Sequence, residues 1–205
     1  MNVLEEQMTK DIIFESLKTS MSYDQYRALV SSLVEQKSTT GNEKSEALTY
    51  YTLLSHSRMK RWDKVVKINE EHQLKIKNYT KDVTWIVITE SWCGDAAHVV
   101  PVLNKIAQEN EHIDLKLVLR DDNDDLMNAF LTKGSRSIPK LISVDSGTNE
   151  VLFTYGPRPS VATTMVEAFK AKHGKLTPEF KEELQHWYNK DKGQTTISDI
   201  VALLN

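Results

Sequence analysis

Short apolar, β-branched runs alternate along this chain with longer segments of helical spacing. Residues 84–89 form a run that suits a strand covered on both faces of a sheet. Residues 113–119 alternate apolar and polar positions, while 141–144 and 151–155 are short apolar runs on either side of a polar turn. A helical segment at 96–107 follows the first strand directly. The pattern predicts an α/β fold with one sheet between helices.

The first 80 residues carry helical patterns and no strand pattern. Residues 9–17 have helical spacing, and Ser22 with Gln25 forms a capping box that begins the next helix. The apolar face of that helix is Tyr26, Leu29, Val30, Leu33 and Val34. A long helix is predicted over 43–68, and its buried side is predicted to be Leu48, Tyr51, Leu54, Met59, Trp62 and Val66. We interpret 1–80 as a helical arm that packs on the core, or on a second copy of the chain in a homodimer.

More helix is predicted after the sheet segments. Residues 161–172 form the closing helix of the α/β region. Thr177 caps a further helix that has Pro178 at its first position. A last short helix has Ile197, Ile200, Val201 and Leu204 as its apolar residues. The chain therefore divides into an arm at 1–80, a central domain at 81–172 and a C-terminal helical extension at 173–205.

Composition narrows the class of protein. The 205 residues are 40% hydrophobic and 27% charged, as in globular domains, and a net charge of −3 argues against a general nucleic-acid binder. No apolar run approaches the roughly 20 residues of a membrane helix, and the first residues lack the features of a signal peptide. One cysteine excludes an internal disulfide, so we expect a cytoplasmic protein in a reducing compartment.

Two charged segments have simple structural interpretations. A basic cluster on the long helix consists of Arg58, Lys60, Arg61, Lys64 and Lys67. We interpret it as a solvated helix face, with an anion or partner site as the alternative. The acidic run 120–125 lacks the glycine and the final acid of a calcium loop, so we expect a helix N-terminus there and no metal site.

Three motifs lie around the first strand. Residues 92–96 read Trp-Cys-Gly-Asp-Ala, and Pro101 lies eight positions after Cys93. Residues 137–139 read Ser-Ile-Pro, and Pro139 lies 46 positions after Cys93. The order and spacing of these three motifs resemble those of the thioredoxin superfamily. The chain looks like a bacterial thioredoxin-like protein with a single-cysteine WCGDA motif. The resemblance covers about residues 80–172 and implies a thioredoxin-like fold with a helical N-terminal extension and extra C-terminal helices.

The chain departs from the family pattern at three linked positions. Ala96 stands where thioredoxins have the second, resolving cysteine, and Asp95 stands where they have proline. Val87 stands where they bury an aspartate that helps to deprotonate the resolving cysteine. The loss of both the cysteine and this acid is self-consistent. The resemblance therefore implies that half of the dithiol chemistry is missing.

Without a resolving cysteine, the resemblance implies a site built around the single thiol of Cys93. By resemblance, Cys93 is a nucleophile at the surface, flanked by Trp92, Gly94, Asp95 and Ala96. Ile138 and Pro139, in a cis-proline loop, offer backbone groups to a substrate beside the sulfur. The helix N-terminus favours the thiolate and the Asp95 carboxylate disfavours it, while His98 is interpreted as an exposed helix residue.

Two functions from different classes follow from this set. The first is a monothiol thiol–disulfide oxidoreductase acting on a protein disulfide or a small thiol or disulfide, with a low-molecular-weight thiol as resolving partner and no other cofactor. The second is a non-catalytic thioredoxin-fold module that binds a protein partner. The missing resolving cysteine favours the second function, and the preserved motif around Cys93 favours the first.

Overall fold

A computed structural model of the protein describes residues 3–204. In this part of the chain one sheet holds β1 Val83–Thr89, β2 Ile113–Leu119, β3 Lys140–Asp145 and β4 Val151–Tyr155. The strand order is β2-β1-β3-β4, with β1 parallel to β2 and antiparallel to β3, and β3 antiparallel to β4. The predicted strands share one sheet, and the predicted α/β class is confirmed.

Helices surround this sheet. They are α1 Val3–Lys18, α2 Tyr23–Glu35, α3 Glu46–Val65, α4 Glu70–Lys77, α5 Ala96–Ala107, α6 Asp124–Ala129, α7 Ser160–His173, α8 Pro178–Asp191 and α9 Gln194–Leu203. The capping box at Ser22 and Gln25 is present. The long helix predicted over 43–68 is shorter than expected, because Val66 is extended and Asn69 caps a separate helix, α4. None of the described helices is long and apolar enough to cross a membrane.

Strand β1 lies at the centre of the structure. Of its residues only Thr84 is not buried, and Val87 pairs with Leu117 on one side and Leu141 on the other. On its outer edge β2 is bridged at one position by Met21, which exchanges two backbone hydrogen bonds of 2.8 Å with Leu117. This pairing satisfies edge groups that would otherwise be open to another strand.

The N-terminal helices share the hydrophobic core of the sheet. Tyr26 and Val30 of α2 are buried in the same cluster as β1, as are Met59 and Trp62 of α3. Helix α2 contacts α3 and β2, and α3 packs on α5. The face predicted for α2 is only partly right, since Leu33 is half-buried rather than fully enclosed, as are Leu29 and Val34.

The buried side of α3 differs from the prediction. Tyr51 was expected to be buried but is 47% exposed, and Leu48 and Leu54 are half-buried. Thr52 and Ser55 are buried instead. The apolar spacing predicted the wrong buried face, because small hydroxyl residues of α3 form hydrogen bonds with the loop that follows β1.

The C-terminal helices follow the sequence pattern closely. The Thr177 side chain accepts a 3.3 Å hydrogen bond from the Phe180 N–H, and Pro178 is the first helical residue. Gly193 has a φ of 79° and lies so close to Val102 that a Cβ would come within 2.7 Å of that side chain. This close approach allows α9 to pack on α5.

Replacing Met59 by Ala tests whether the N-terminal helices stabilise the whole fold. Met59 is 1% exposed, so we expect a loss of about 2–5 kcal/mol in the free energy of unfolding, measured by urea denaturation. Met8→Ala is the matched control, because Met8 is 63% exposed and should change stability by less than about 0.5 kcal/mol. Equal effects of the two substitutions would contradict the shared core.

Candidate thiol site

Cys93 lies between the end of β1 and the start of α5, and two backbone groups contact its sulfur. The Ala96 N–H donates to Sγ over 3.4 Å, and the thiol donates to the Ile138 carbonyl oxygen over 3.4 Å. The side chain is only 7% exposed. The expectation that this sulfur lies at the surface is therefore wrong, because the loop before β3 covers it.

The environment of Cys93 favours the neutral thiol. Burial, followed by the charge of Asp95, raises the pKa of the Cys93 thiol to about 12. Backbone N–H groups at the start of α5 and the charge of Arg158 act in the opposite direction but are outweighed. The sequence left open whether the helix N-terminus or Asp95 controls the Cys93 pKa, and the larger effect is one that the sequence did not show, the cost of desolvating the thiolate.

Asp95 joins three separate parts of the chain. Its carboxylate pairs with Arg158 Nη2 at 2.6 Å and accepts a 3.0 Å hydrogen bond from the Tyr188 hydroxyl. Arg158 follows β4, and Tyr188 lies on α8. Burial raises the pKa of the Asp95 carboxyl, against the opposing effects of Arg158 and Tyr188. Burial also raises the pKa of Tyr188, so that its hydroxyl stays protonated and able to donate.

His98 is buried, contrary to its interpretation as an exposed helix residue. The Trp62 indole N–H donates to Nδ1 over 2.5 Å, so Nε2 carries the proton and donates to the Gln185 amide oxygen at 2.7 Å. The ring stacks on Tyr188 with centroids 4.2 Å apart. Burial lowers the pKa of His98 to about 4, so it is neutral at physiological pH. Its partners lie far away in sequence and gave no local signal.

Hydroxyl groups tie the loop before Cys93 to the N-terminal helices. Ser91 Oγ lies 2.9 Å from the Thr52 hydroxyl of α3, and the Ser91 N–H donates to Thr40 Oγ1 over 2.8 Å. The Ser55 hydroxyl donates to the Cys93 carbonyl over 3.5 Å. These buried contacts hold the backbone that carries the thiol, so the N-terminal helices help to position the site.

A cavity of about 520 Å³, here called the thiol groove, opens beside the sulfur. The predicted site residues that line it are Trp92, Cys93, Gly94, Asp95 and Ile138. Ala96 and Pro139 are buried and do not line it. The Ile138–Pro139 peptide bond is cis, as is Gly156–Pro157. The two sequence motifs therefore meet at one groove.

Several residues of the thiol groove were not predicted from sequence. Arg58 lies beside Gly94, where a Cβ would come 3.3 Å from its Nη1 atom, and Arg120 lies 5.0 Å above the Trp92 ring. Arg58 belongs to the basic cluster noted in the sequence, whose other members are exposed, as a solvated face requires. The sequence showed this charge but could not show which member turns inward. Arg158 carried no signal beyond its place in a Gly-Pro-Arg-Pro turn.

The acidic side chains of residues 120–125 make contacts within this part of the fold. Residues Arg120–Asp122 form a turn of 3₁₀ helix before α6, as expected for a helix start. Asp121 pairs with Arg120 at 2.7 Å and accepts a hydrogen bond from the Asn42 N–H. Across residues 3–204, no group of three or more His, Cys, Asp or Glu side chains could hold a metal ion.

A family model described as thioredoxin matches residues 41–170. The chain belongs to the thioredoxin family. The match begins at Gly41, so it includes α3 and α4, which the sequence patterns assigned to the arm. Within this thioredoxin-family chain, the single cysteine lies where strand β1 meets helix α5.

Solved structures give the same result for the fold. A Pseudomonas aeruginosa protein of unknown function is 14% identical, with a TM-score of 0.58 over 90% of this chain and 97% of that chain. An HIV epitope-scaffold is also 14% identical, with a TM-score of 0.54 over 90% of this chain and 98% of that one. At such low identity these likenesses concern the fold alone. No curated protein matches the chain.

Replacing Asp95 by Asn tests the electrostatic control of the thiol. The substitution removes a charge that raises the Cys93 pKa and leaves the Arg158 cation unpaired nearby, so the pKa should fall. The measurement is a titration of thiolate absorbance, with alkylation rates at mildly alkaline pH as a second readout. Asp114→Asn is the control, because Asp114 is an exposed residue at the far end of β2. An unchanged or higher pKa in Asp95→Asn would contradict the account.

Proposed function

We propose that this thioredoxin-family protein is a monothiol thiol–disulfide exchange protein that acts through Cys93. The observation that carries the proposal is the position of the sulfur, which lines the thiol groove and contacts the Ile138 carbonyl. An extended disulfide substrate in the groove would lie beside Sγ and the backbone of the Ile138–Pro139 loop. Trp92, Gly94 and Asp95 would line its binding site. Ala96 occupies the position at which thioredoxins have the resolving cysteine.

The proposed reaction has two exchange steps. In the first, the Cys93 thiol loses its proton to solvent, and the thiolate attacks one sulfur of a disulfide. A new Sγ–S bond forms, the substrate S–S bond breaks, and the leaving thiolate takes the electron pair. In the second step an external thiolate attacks the mixed disulfide and releases Cys93. Ala96 supplies no thiol for this step, so a low-molecular-weight thiol of the reducing cytoplasm is the proposed resolving partner.

The same geometry favours a second candidate, a non-catalytic module that uses the groove for binding. The observation behind it is the burial of Cys93, since a neutral and largely covered thiol is a poor nucleophile. The two candidates differ in one measurable property, which is whether Cys93 forms a mixed disulfide with a small disulfide.

The pH dependence of the exchange rate tests the proposal. We expect wild-type protein to form a mixed disulfide at a rate that rises about tenfold per pH unit above neutrality, because the thiolate fraction grows until the pH reaches the Cys93 pKa of about 12. Stopped-flow absorbance with a small aromatic disulfide gives the rate, and mass spectrometry gives the product. Cys93→Ser corrects for background hydrolysis. Absence of any mixed disulfide across this pH range would favour the binding module.

Restoring a resolving cysteine tests the monothiol assignment. The residue at 96 lies one helical turn from Cys93, with its N–H already 3.4 Å from Sγ. Ala96→Cys should therefore form an internal disulfide and release product without added thiol, but slowly, because the buried Val87 cannot accept a proton. Adding Val87→Asp should raise the rate in part. If wild type turned over as fast as Ala96→Cys without a small thiol, the monothiol scheme would be wrong.

A further inference from the structure

The walls of the thiol groove have a charge opposite in sign to that of the whole protein. Five cationic side chains line it, namely Arg58, Arg120, Arg136, Arg158 and Lys181, against one carboxylate, Asp95. The chain as a whole carries a net charge of −3. A cavity lined by one sign of charge concentrates ligands of the opposite sign. The excess of cations inside the groove therefore indicates an anionic ligand.

Three of these cations are already paired. Arg158 pairs with Asp95, and Arg120 pairs with Asp121. Arg136 pairs with Asp124 outside the groove. Their partners fix the guanidinium groups in place and reduce the charge that each offers to a ligand.

Arg58 is different, because it is half-buried and makes no close ion pair, although the Asp95 charge acts on it from a longer distance. Among residues 3–204 its guanidinium makes no hydrogen bond and no ion pair at contact distance, and its Nη1 atom lies beside Gly94 at the groove wall. Burial lowers the pKa of Arg58, which reflects the unfavourable desolvation of its charge. The Nε atom of Arg158, which also lines the groove, is buried and has no hydrogen-bond partner in the described structure. The Arg58 guanidinium thus has unpaired donors at the groove wall that an anion would satisfy, and Arg158 adds a second positive charge beside it.

The remaining lining is largely apolar and the space is small. Leu48, Trp92, Leu176 and Leu184 provide apolar surface around the cations. A volume of about 520 Å³ suits a small molecule and lies within the usual range for ligand pockets. Helices α3 and α8 both contribute residues to this lining, Leu48 from the first and Leu184 from the second.

We propose that the thiol groove binds a small anionic thiol or disulfide, whose carboxylate is held by Arg58 and Arg158 while its sulfur faces Cys93. The proposal that the groove binds an anion is based on the charges of its lining. The proposal that the bound molecule exchanges with Cys93 rests on the proposed function above. In that step the bound disulfide exchanges with Cys93 as already written, and the thiol half that leaves carries its own carboxylate. The site would therefore select its exchange partner by charge.

Binding is tested without reaction in the Cys93→Ser variant. The probe is dithiobis(nitrobenzoate), a small disulfide with two carboxylates, and the measurement is isothermal titration calorimetry. We expect saturable binding that weakens with added salt, and a loss of about tenfold in affinity when Arg58→Gln is added. Lys64→Gln is the charge-matched control on the same helix, because Lys64 is exposed and lies outside the groove, and it should change affinity by less than about twofold.

Reaction rates then separate the two proposals. The wild-type protein is reacted with the dianionic probe, with neutral dithiodipyridine and with cationic cystamine. Each rate is divided by the rate of the same probe with a free small thiol. The inference is supported if the anionic probe then has the highest value, and if Arg58→Gln lowers the anionic-to-neutral ratio about tenfold while Lys64→Gln leaves it unchanged. Binding in Cys93→Ser with no reaction of any disulfide would overturn the exchange function and leave the anion site standing. Exchange with no preference by charge, or no binding in Cys93→Ser, would overturn the anion site.

Discussion

The structure depends on a strand that is enclosed on both edges and both faces. β1 has hydrogen-bonded neighbours on either side, and all but one of its residues are buried. An apolar strand of this kind is stable only when helices cover both faces of its sheet. The helices before and after the sheet share one core with it, so they are part of its stability rather than attachments to it. The end of β1 also delivers the loop that carries Cys93.

The candidate site reflects a competition between desolvation and local charge. A helix N-terminus stabilises a thiolate by a modest amount, whereas burial of the charge and a nearby carboxylate oppose it. At Cys93 the second set of effects is larger. Asp95 thus has two roles, because it pairs with Arg158 and Tyr188 to hold the groove together and at the same time suppresses the thiolate. Both partners of the Arg158–Asp95 pair act on the Cys93 pKa, Asp95 raising it and Arg158 lowering it.

The groove is built largely by elements that are remote in sequence. Arg58 comes from α3, Arg158 from the turn after β4, and Lys181 from α8. The sheet places the cysteine beside the Ile138–Pro139 loop, and these other elements supply the cations. The thiol and the cations of the groove therefore come from separate elements of one chain.

The sequence by itself determined the strands and the helix caps at Ser22 and Thr177, whereas its resemblance to thioredoxins implied that the two motifs meet. Period-two and helical spacing are local properties, and caps such as Ser22 and Thr177 act within three residues of themselves. Only the tertiary structure decided that Cys93 is covered, that His98 is buried against Trp62, and that Arg58 faces the groove. The reason is physical, since the burial and pKa of a side chain depend on neighbours that lie tens of residues away along the chain. Local pattern shows which residue types are present, but only chain topology fixes which of them meet.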